Sequence, residues 1–178
     1  MTEKCLKSIH ENTRYPYKVL IIADEPEEIE TDGNEDITDY SYLFVWQQIM
    51  DIDLVIRKKR QGVVSAYNIG MKITEGDILL TQNDVEFPKL EGDCWITRMV
   101  KKLQEENVGM VCCANSGTDV FVGTWCGFIP RRTINEIGYF DEKFNPAMMD
   151  DMDYARRVKL HGLKIVREDS FKVEHVQS

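Results

Sequence analysis

The chain has 178 residues, of which 43% are hydrophobic and 30% charged, and its formal net charge is −9. That length suits one domain, 1–178, with a sizeable core. The acidic balance excludes a general nucleic-acid binder, whose phosphate ligands need a basic surface. No apolar run is long enough to span a bilayer, so no transmembrane segment is expected.

Along the chain, Cys5 to Asn12 reads as a helix with Cys5, Leu6 and Ile9 on one face, and Tyr15-Pro16-Tyr17 breaks it. Val19 to Ala23 is a continuous apolar run, the pattern of a strand buried on both faces, and it ends at Asp24. Glu25 to Asp36 is acidic and reads as a solvated loop. A helix over 40–50 and a short strand over 54–57 follow, then a basic turn, Lys58-Lys59-Arg60, that closes at Gly62. A helix is predicted over 63–73 and a strand over 77–81. Trp95, Met99, Val100 and Leu103 recur at helical spacing within 94–105. Strands are predicted over 108–114 and 124–129, then a helix over 131–137 ended by Gly138. The last helix spans 151–160 before Gly162, followed by short strands over 163–166 and 171–173. Alternating strands and helices define an α/β layered fold.

The five cysteines, Cys5, Cys94, Cys112, Cys113 and Cys126, form no CxxC pair. This argues against structural zinc and for packed, reduced thiols, hence a cytoplasmic setting. Met1-Thr2-Glu3-Lys4-Cys5 lacks a signal-peptide core.

Two acidic clusters occupy informative places. Asp84, in Gln82-Asn83-Asp84-Val85, follows a strand, and Asp150-Asp151-Met152-Asp153 opens a helix. Carboxylates at the carboxyl ends of strands sit where open α/β sheets bind ligands. With the late His175, they suit a divalent cation and a base around a phosphate-bearing substrate, as in group transfer from a nucleotide-activated donor.

These segments, taken in order, resemble family 2 glycosyltransferases. The resemblance is carried by Cys5, Leu6 and Ile9 with Tyr15-Pro16; by Val19 to Asp24; and by Gly62 with Ala66-Tyr67-Asn68-Ile69-Gly70. It continues through Gly76 to Val85, Gly138-Tyr139-Phe140-Asp141-Glu142, Asp150-Asp151-Met152-Asp153 with Arg157 and Gly162, and His175. It implies a GT-A type three-layer α/β/α sandwich around a mostly parallel mixed sheet, Rossmann-like. It further implies an inverting transfer of a sugar, of the hexosyltransferase class, in glycan biosynthesis. The donor would be a nucleoside diphosphate sugar, the acceptor a glycan or lipid-linked saccharide, and the cofactor Mn²⁺ or Mg²⁺.

The sequence departs from the family pattern in three places. The usual DxD is Gln82-Asn83-Asp84, which keeps one carboxylate, and the usual ED is Asp150-Asp151. The family's first strand, central in its sheet, has no counterpart here, and an unfilled sheet position favours self-association. The resemblance makes Asp84 and His175 the metal ligands and Asp151, beside Asp150, the general base. Asp24, Arg60, Asn68, Asn83 and Asp84 are expected on the donor side, and Trp125 on the acceptor side. Each has a plainer reading. Asp24, Asn83 and Asp84 suit turns; Asp150 and Asp151 suit a helix cap; Arg60 suits a solvated turn; Trp125 suits a core. Asp153 is expected to pair with Arg157. A second function class, a non-catalytic GT-A-like nucleotide-binding or assembly module, draws on the depleted DxD and the absent strand. A nucleotidyltransferase would want a Gly-rich, basic N-terminal loop, which the sequence lacks.

Overall fold

The computed structural model describes residues 1–24, 40–117, 123 and 125–176. The acidic stretch expected to be a solvated loop, 25–36, lies outside them, as does Thr124. The elements in chain order are α1 (Thr2–Asn12), β1 (Val19–Asp24), α2 (Ser41–Gln47), β2 (Ile52–Arg57), α3 (Val63–Ile73), β3 (Ile78–Thr81), β4 (Val85–Glu86), α4 (Trp95–Leu103), β5 (Val108–Cys113), β6 (Cys126–Ile129), α5 (Arg131–Ile137), α6 (Asp150–Leu160), β7 (Lys164–Glu168) and β8 (Glu174–His175). A single 3₁₀ turn, Glu142–Phe144, precedes α6.

The central sheet has the order β3–β6–β5–β7; β6 is antiparallel to both neighbours, and β5 is parallel to β7. Every residue of β5 and β6 is buried, which is why Val-Gly-Met-Val-Cys-Cys carries no polar alternation. Successive side chains leave a strand on opposite faces, and β5 shows it. Val111 and Cys113 join a core with Cys5, Leu6 and Ile9 of α1 and Trp95, Met99 and Leu103 of α4. Met110 and Cys112 join a second core with Val64, Tyr67 and Met71 of α3, Ile134 of α5 and Tyr154, Ala155 and Val158 of α6. Helices therefore cover both faces, and the result is the expected three-layer arrangement.

β1 and β2 form a separate parallel pair, with Val19 opposite Ile52 and Asp24 opposite Arg57. Among the described residues no strand joins this pair to β3. All six residues of β1 are only half-buried, although the sequence pattern is that of a strand covered on both faces. Helix α3 nevertheless reaches across both pieces. A Cβ at Gly70 would stand 3.7 Å from the side chains of Leu20 and Ile22, while Val64, Tyr67 and Met71 pack with Leu80 of β3. Among the described residues β1 and β3 therefore share no ladder, although α3 packs on both.

One predicted strand is corrected. Residues 171–173 are not a strand; the strand is Glu174–His175, paired antiparallel with β4, which the sequence pattern did not reveal. Val173 is held instead by a side chain: Asn115 Nδ2 donates to its carbonyl (2.8 Å) and its N–H donates to Asn115 Oδ1 (3.1 Å).

Candidate active site

The parallel strands β1 and β2 end in Asp24 and Arg57, and β3 leads through Gln82 and Asn83 to Asp84. The described site residues fall into two groups.

The first centres on Asp84. The N–H of Val176 donates to the Asp84 carbonyl (2.9 Å), and the β4–β8 pairing sets Val85 opposite His175. This brings His175 Nε2 to 3.4 Å from Asp84 Oδ2. The Trp125 ring stacks on the His175 ring, centroids 4.5 Å apart at 19°. Asp84 Oδ1 is buried and has no hydrogen-bond partner among the described residues, an arrangement that is costly unless a ligand completes it. Asn83 is exposed, and its Nδ2 donates to Thr2 Oγ1 (3.2 Å). Among the described residues no third histidine, cysteine or acid joins Asp84 and His175 as a potential metal ligand. A carboxylate and an imidazole fit Mn²⁺ or Mg²⁺ where substrate phosphate oxygens and water supply the other positions.

The second group surrounds Gly62. Asp24 forms an ion pair with Arg57 Nε, and Arg57 Nη2 donates to the Gly62 carbonyl (3.2 Å). The N–H of Val63 donates to the Pro146 carbonyl (2.9 Å), and Ser65 N–H donates to Asn145 Oδ1 (3.2 Å). These contacts tie the start of α3 to the loop that enters α6. Arg60, Gln61, Gly62, Asn145 and Pro146 line an open cavity of about 440 Å³. The loop then passes through Met148 and Met149, both at positive φ (98° and 68°), before Asp150 starts the helix.

Met149 is the N-cap of α6, so Asp150 and Asp151 occupy its first turn and neither is the cap. Asp150 is buried. Its Oδ1 accepts from Met148 N–H (3.1 Å), while its Oδ2 has no partner among the described residues. Asp151 is half-buried and accepts from the Met152 N–H through Oδ1 (2.7 Å). Burial, reinforced by the charge of Asp150, raises the Asp151 pKa above the usual carboxylate value. Asp153 pairs with Arg157 Nε at 2.8 Å, the expected i,i+4 contact.

Asn68 is engaged elsewhere. It is buried on α3, accepts the Phe140 N–H (2.9 Å), and donates to the Phe140 carbonyl and Glu142 Oε1 (both 3.0 Å). These bonds occupy its amide within the protein and fix the turn after α5. Arg57, Asn145 and Asn115 were not legible as site residues, because each acts through a contact remote in sequence. Arg57 left one signal, a cation ending an otherwise apolar strand.

In an α/β/α sandwich the carboxyl ends of the strands, where these carboxylates stand, are where ligands bind. The family model "Glycosyl transferase family 2" matches residues 1–171, and the chain belongs to that family. No curated protein sequence gives a significant match. Similar solved structures include a mannosyltransferase, PcManGT from Pyrobaculum calidifontis, in complex with GDP-Man and Mn²⁺. It has a TM-score of 0.74 and 19% identity, over 99% of this chain and 53% of that one. GalNAc-T7 with UDP, GalNAc and Mn²⁺ gives a TM-score of 0.72 and 12% identity, over 97% and 40%. S. aureus TarS 1-349 gives 0.68 and 11%, over 97% and 55%. The fold is therefore GT-A, and the chain spans about half the length of these structures. Among the described residues no helix is long and apolar enough to cross a membrane.

Proposed function

We propose that this domain transfers a hexose from a nucleoside diphosphate sugar to an acceptor hydroxyl, with inversion, in glycan biosynthesis. The observation that carries this reading is the Asp84–His175 pair, whose buried Asp84 Oδ1 lacks a partner at the end of a strand. Asp84 and His175 would hold Mn²⁺ or Mg²⁺ together with the donor diphosphate, and the two similar structures solved with Mn²⁺ and a nucleotide support that choice. When bound, the ion neutralises charge on the departing diphosphate.

The chain's own residues do the rest. Asp151 accepts the acceptor's hydroxyl proton, and its raised pKa makes it a stronger base than an exposed aspartate. Asp150 holds the Met148 N–H and so positions the turn that presents Asp151. Arg60 offers its cation to the donor from the cavity beside Gly62. Asp24 stands at the donor side already balanced by Arg57, and Asn83 lies next to the metal ligand. Trp125, stacked on His175, supports the imidazole and gives the acceptor an apolar face. The acceptor class is a glycan or a lipid-linked saccharide, and the setting is cytoplasmic.

The test is incubation with a panel of UDP-, GDP- and dTDP-sugars and Mn²⁺, following release of the nucleoside diphosphate. Release from one donor, abolished by EDTA, is expected. Among the described residues β1 pairs only with β2 and no third ligand joins Asp84 and His175, which favours the second reading, a non-catalytic nucleotide-binding or assembly module. Tight donor binding with no release under any acceptor would establish that second reading instead.

A further inference from the structure

Cys113 ends β5 and Cys126 begins β6. β5 and β6 pair through Val111 with Phe128 and Cys112 with Gly127, and the next residue along each strand is Cys113 on one and Cys126 on the other. Both side chains belong to the core on the α1–α4 face, so the two thiols leave the sheet on one side. Both residues are fully buried and both thiols are free.

A side chain bridges the two backbones here. Ser116 Oγ accepts from the Cys113 N–H (3.0 Å) and donates to the Cys126 carbonyl (2.9 Å), so a hydroxyl stands in place of a direct ladder bond. Both thiols lie in the same buried core. The Cys113 thiol lies within hydrogen-bond reach of Asn115 Oδ1 (3.4 Å), and the neighbouring Cys126 side chain is the main influence holding the Cys113 pKa down at about 6 while that of Cys126 is raised. Ser116 Oγ also lies 3.2 Å from Cys113 Sγ. One sulfur is thus disposed to ionise and the other to keep its proton, the asymmetry that thiol oxidation exploits.

We propose that Cys113 and Cys126 are a thiol–disulfide couple whose closure displaces the segment bearing His175. The oxidant is a hydroperoxide. The Cys113 sulfur attacks the peroxide oxygen, the O–O bond breaks, hydroxide departs and a sulfenic acid forms. Cys126 then attacks that sulfur, the S–O bond breaks, and water departs with the Cys126 proton. In balance, two thiols lose two electrons and two protons, and hydrogen peroxide becomes two waters. Closure draws the rung together around the Ser116 hydroxyl. Both arms of the pair lead to the same place. Asn115, two residues after Cys113, grips Val173 by two hydrogen bonds, and Trp125, next to Cys126, stacks on His175. The disulfide needs no metal or donor, so it stands or falls apart from the proposed activity.

The experiment treats the whole chain with hydrogen peroxide, alkylates the remaining thiols under denaturing conditions, and maps the peptides by mass spectrometry. The expected result is that two of the five cysteines escape alkylation and the mass falls by two hydrogen atoms. A Cys113–Cys126 cross-linked peptide appears and dithiothreitol reverses it. Cys112→Ser keeps the cross-link, whereas Cys113→Ser and Cys126→Ser lose it. Wild-type tryptophan fluorescence is expected to change on oxidation, and Trp125→Phe to lose that change. A different cross-link, or five alkylatable thiols after treatment, would overturn the couple. This mapping uses wild type alone and so holds even where a serine variant fails to fold. A cross-link that leaves the Trp125 signal unchanged would overturn the link to His175.

Discussion

At the scale of single residues, Asp151 ties chemistry to stability. Its folded pKa is raised, so the protonated form is favoured on folding. The contribution to stability is complete below the unfolded value and is lost as pH rises through the folded one. At neutral pH the charge is therefore a burden on the fold. Asp151→Asn is expected to melt no lower than wild type at pH 7, while sugar transfer falls by about 10²–10⁴-fold, the usual contribution of a general base. Thermal melts across pH, beside initial rates, check both halves. Asn68 behaves oppositely. Asn68→Ala would leave the buried Phe140 N–H and carbonyl unpaired, a loss of about 1–3 kcal/mol for each group. Urea unfolding should show that loss, and donor affinity of the folded fraction should be unchanged.

At the scale of elements, the meeting of α3 with the loop into α6 depends on Gly62. Its φ is +82°, and a Cβ there would lie 2.6 Å from the Pro146 Cα and 2.9 Å from the Pro146 carbonyl oxygen. Gly62→Ala forces an alanine into positive-φ extended backbone (φ 82°, ψ 164°) that is essentially reserved for glycine, costing about 1–3 kcal/mol, and adds a collision with backbone. The variant should unfold at lower urea, and the proposed donor should bind more weakly beside Arg60. Elements of this kind also show what a sequence reveals. The paired apolar and acidic segments made the strands of the sheet and the helices α3, α5 and α6 legible, because periodicity and caps are local. Asp84 and His175 were legible as partners through the family's motif order, and the structure sets them 3.4 Å apart. Asn68 was read as a donor contact through its place in the family motif; its amide bonds to Phe140 and Glu142, over seventy residues away. β4 and β8 are two residues each, too short for any pattern, yet they deliver His175 to Asp84.

For the whole molecule, the division of the sheet sets the order of local stability. β5 and β6 are buried throughout and are covered on both faces, whereas β1 is half-exposed along its length and pairs on one side with β2 among the described residues. Regions with few buried apolar contacts open first. Amide hydrogen exchange should show the slowest exchange in 108–113 and 126–129, and markedly faster exchange in 19–24. Equal protection in the two regions would mean that the position between β1 and β3 is filled in solution, for instance by self-association.

The central claim, that Asp84 and His175 form a metal-dependent donor site, is tested most directly by thermal shift. Wild type and Asp84→Ala would be melted with UDP-, GDP- and dTDP-sugars, each with Mn²⁺ or with EDTA. A donor at a hundred times its dissociation constant stabilises the folded state by about 2.7 kcal/mol. One nucleotide should raise the wild-type melting temperature with Mn²⁺ alone, and Asp84→Ala should lose that rise. A rise that persists in EDTA, or in Asp84→Ala, would contradict the metal site. No rise with any nucleotide, in a protein that melts cooperatively, would contradict donor binding itself.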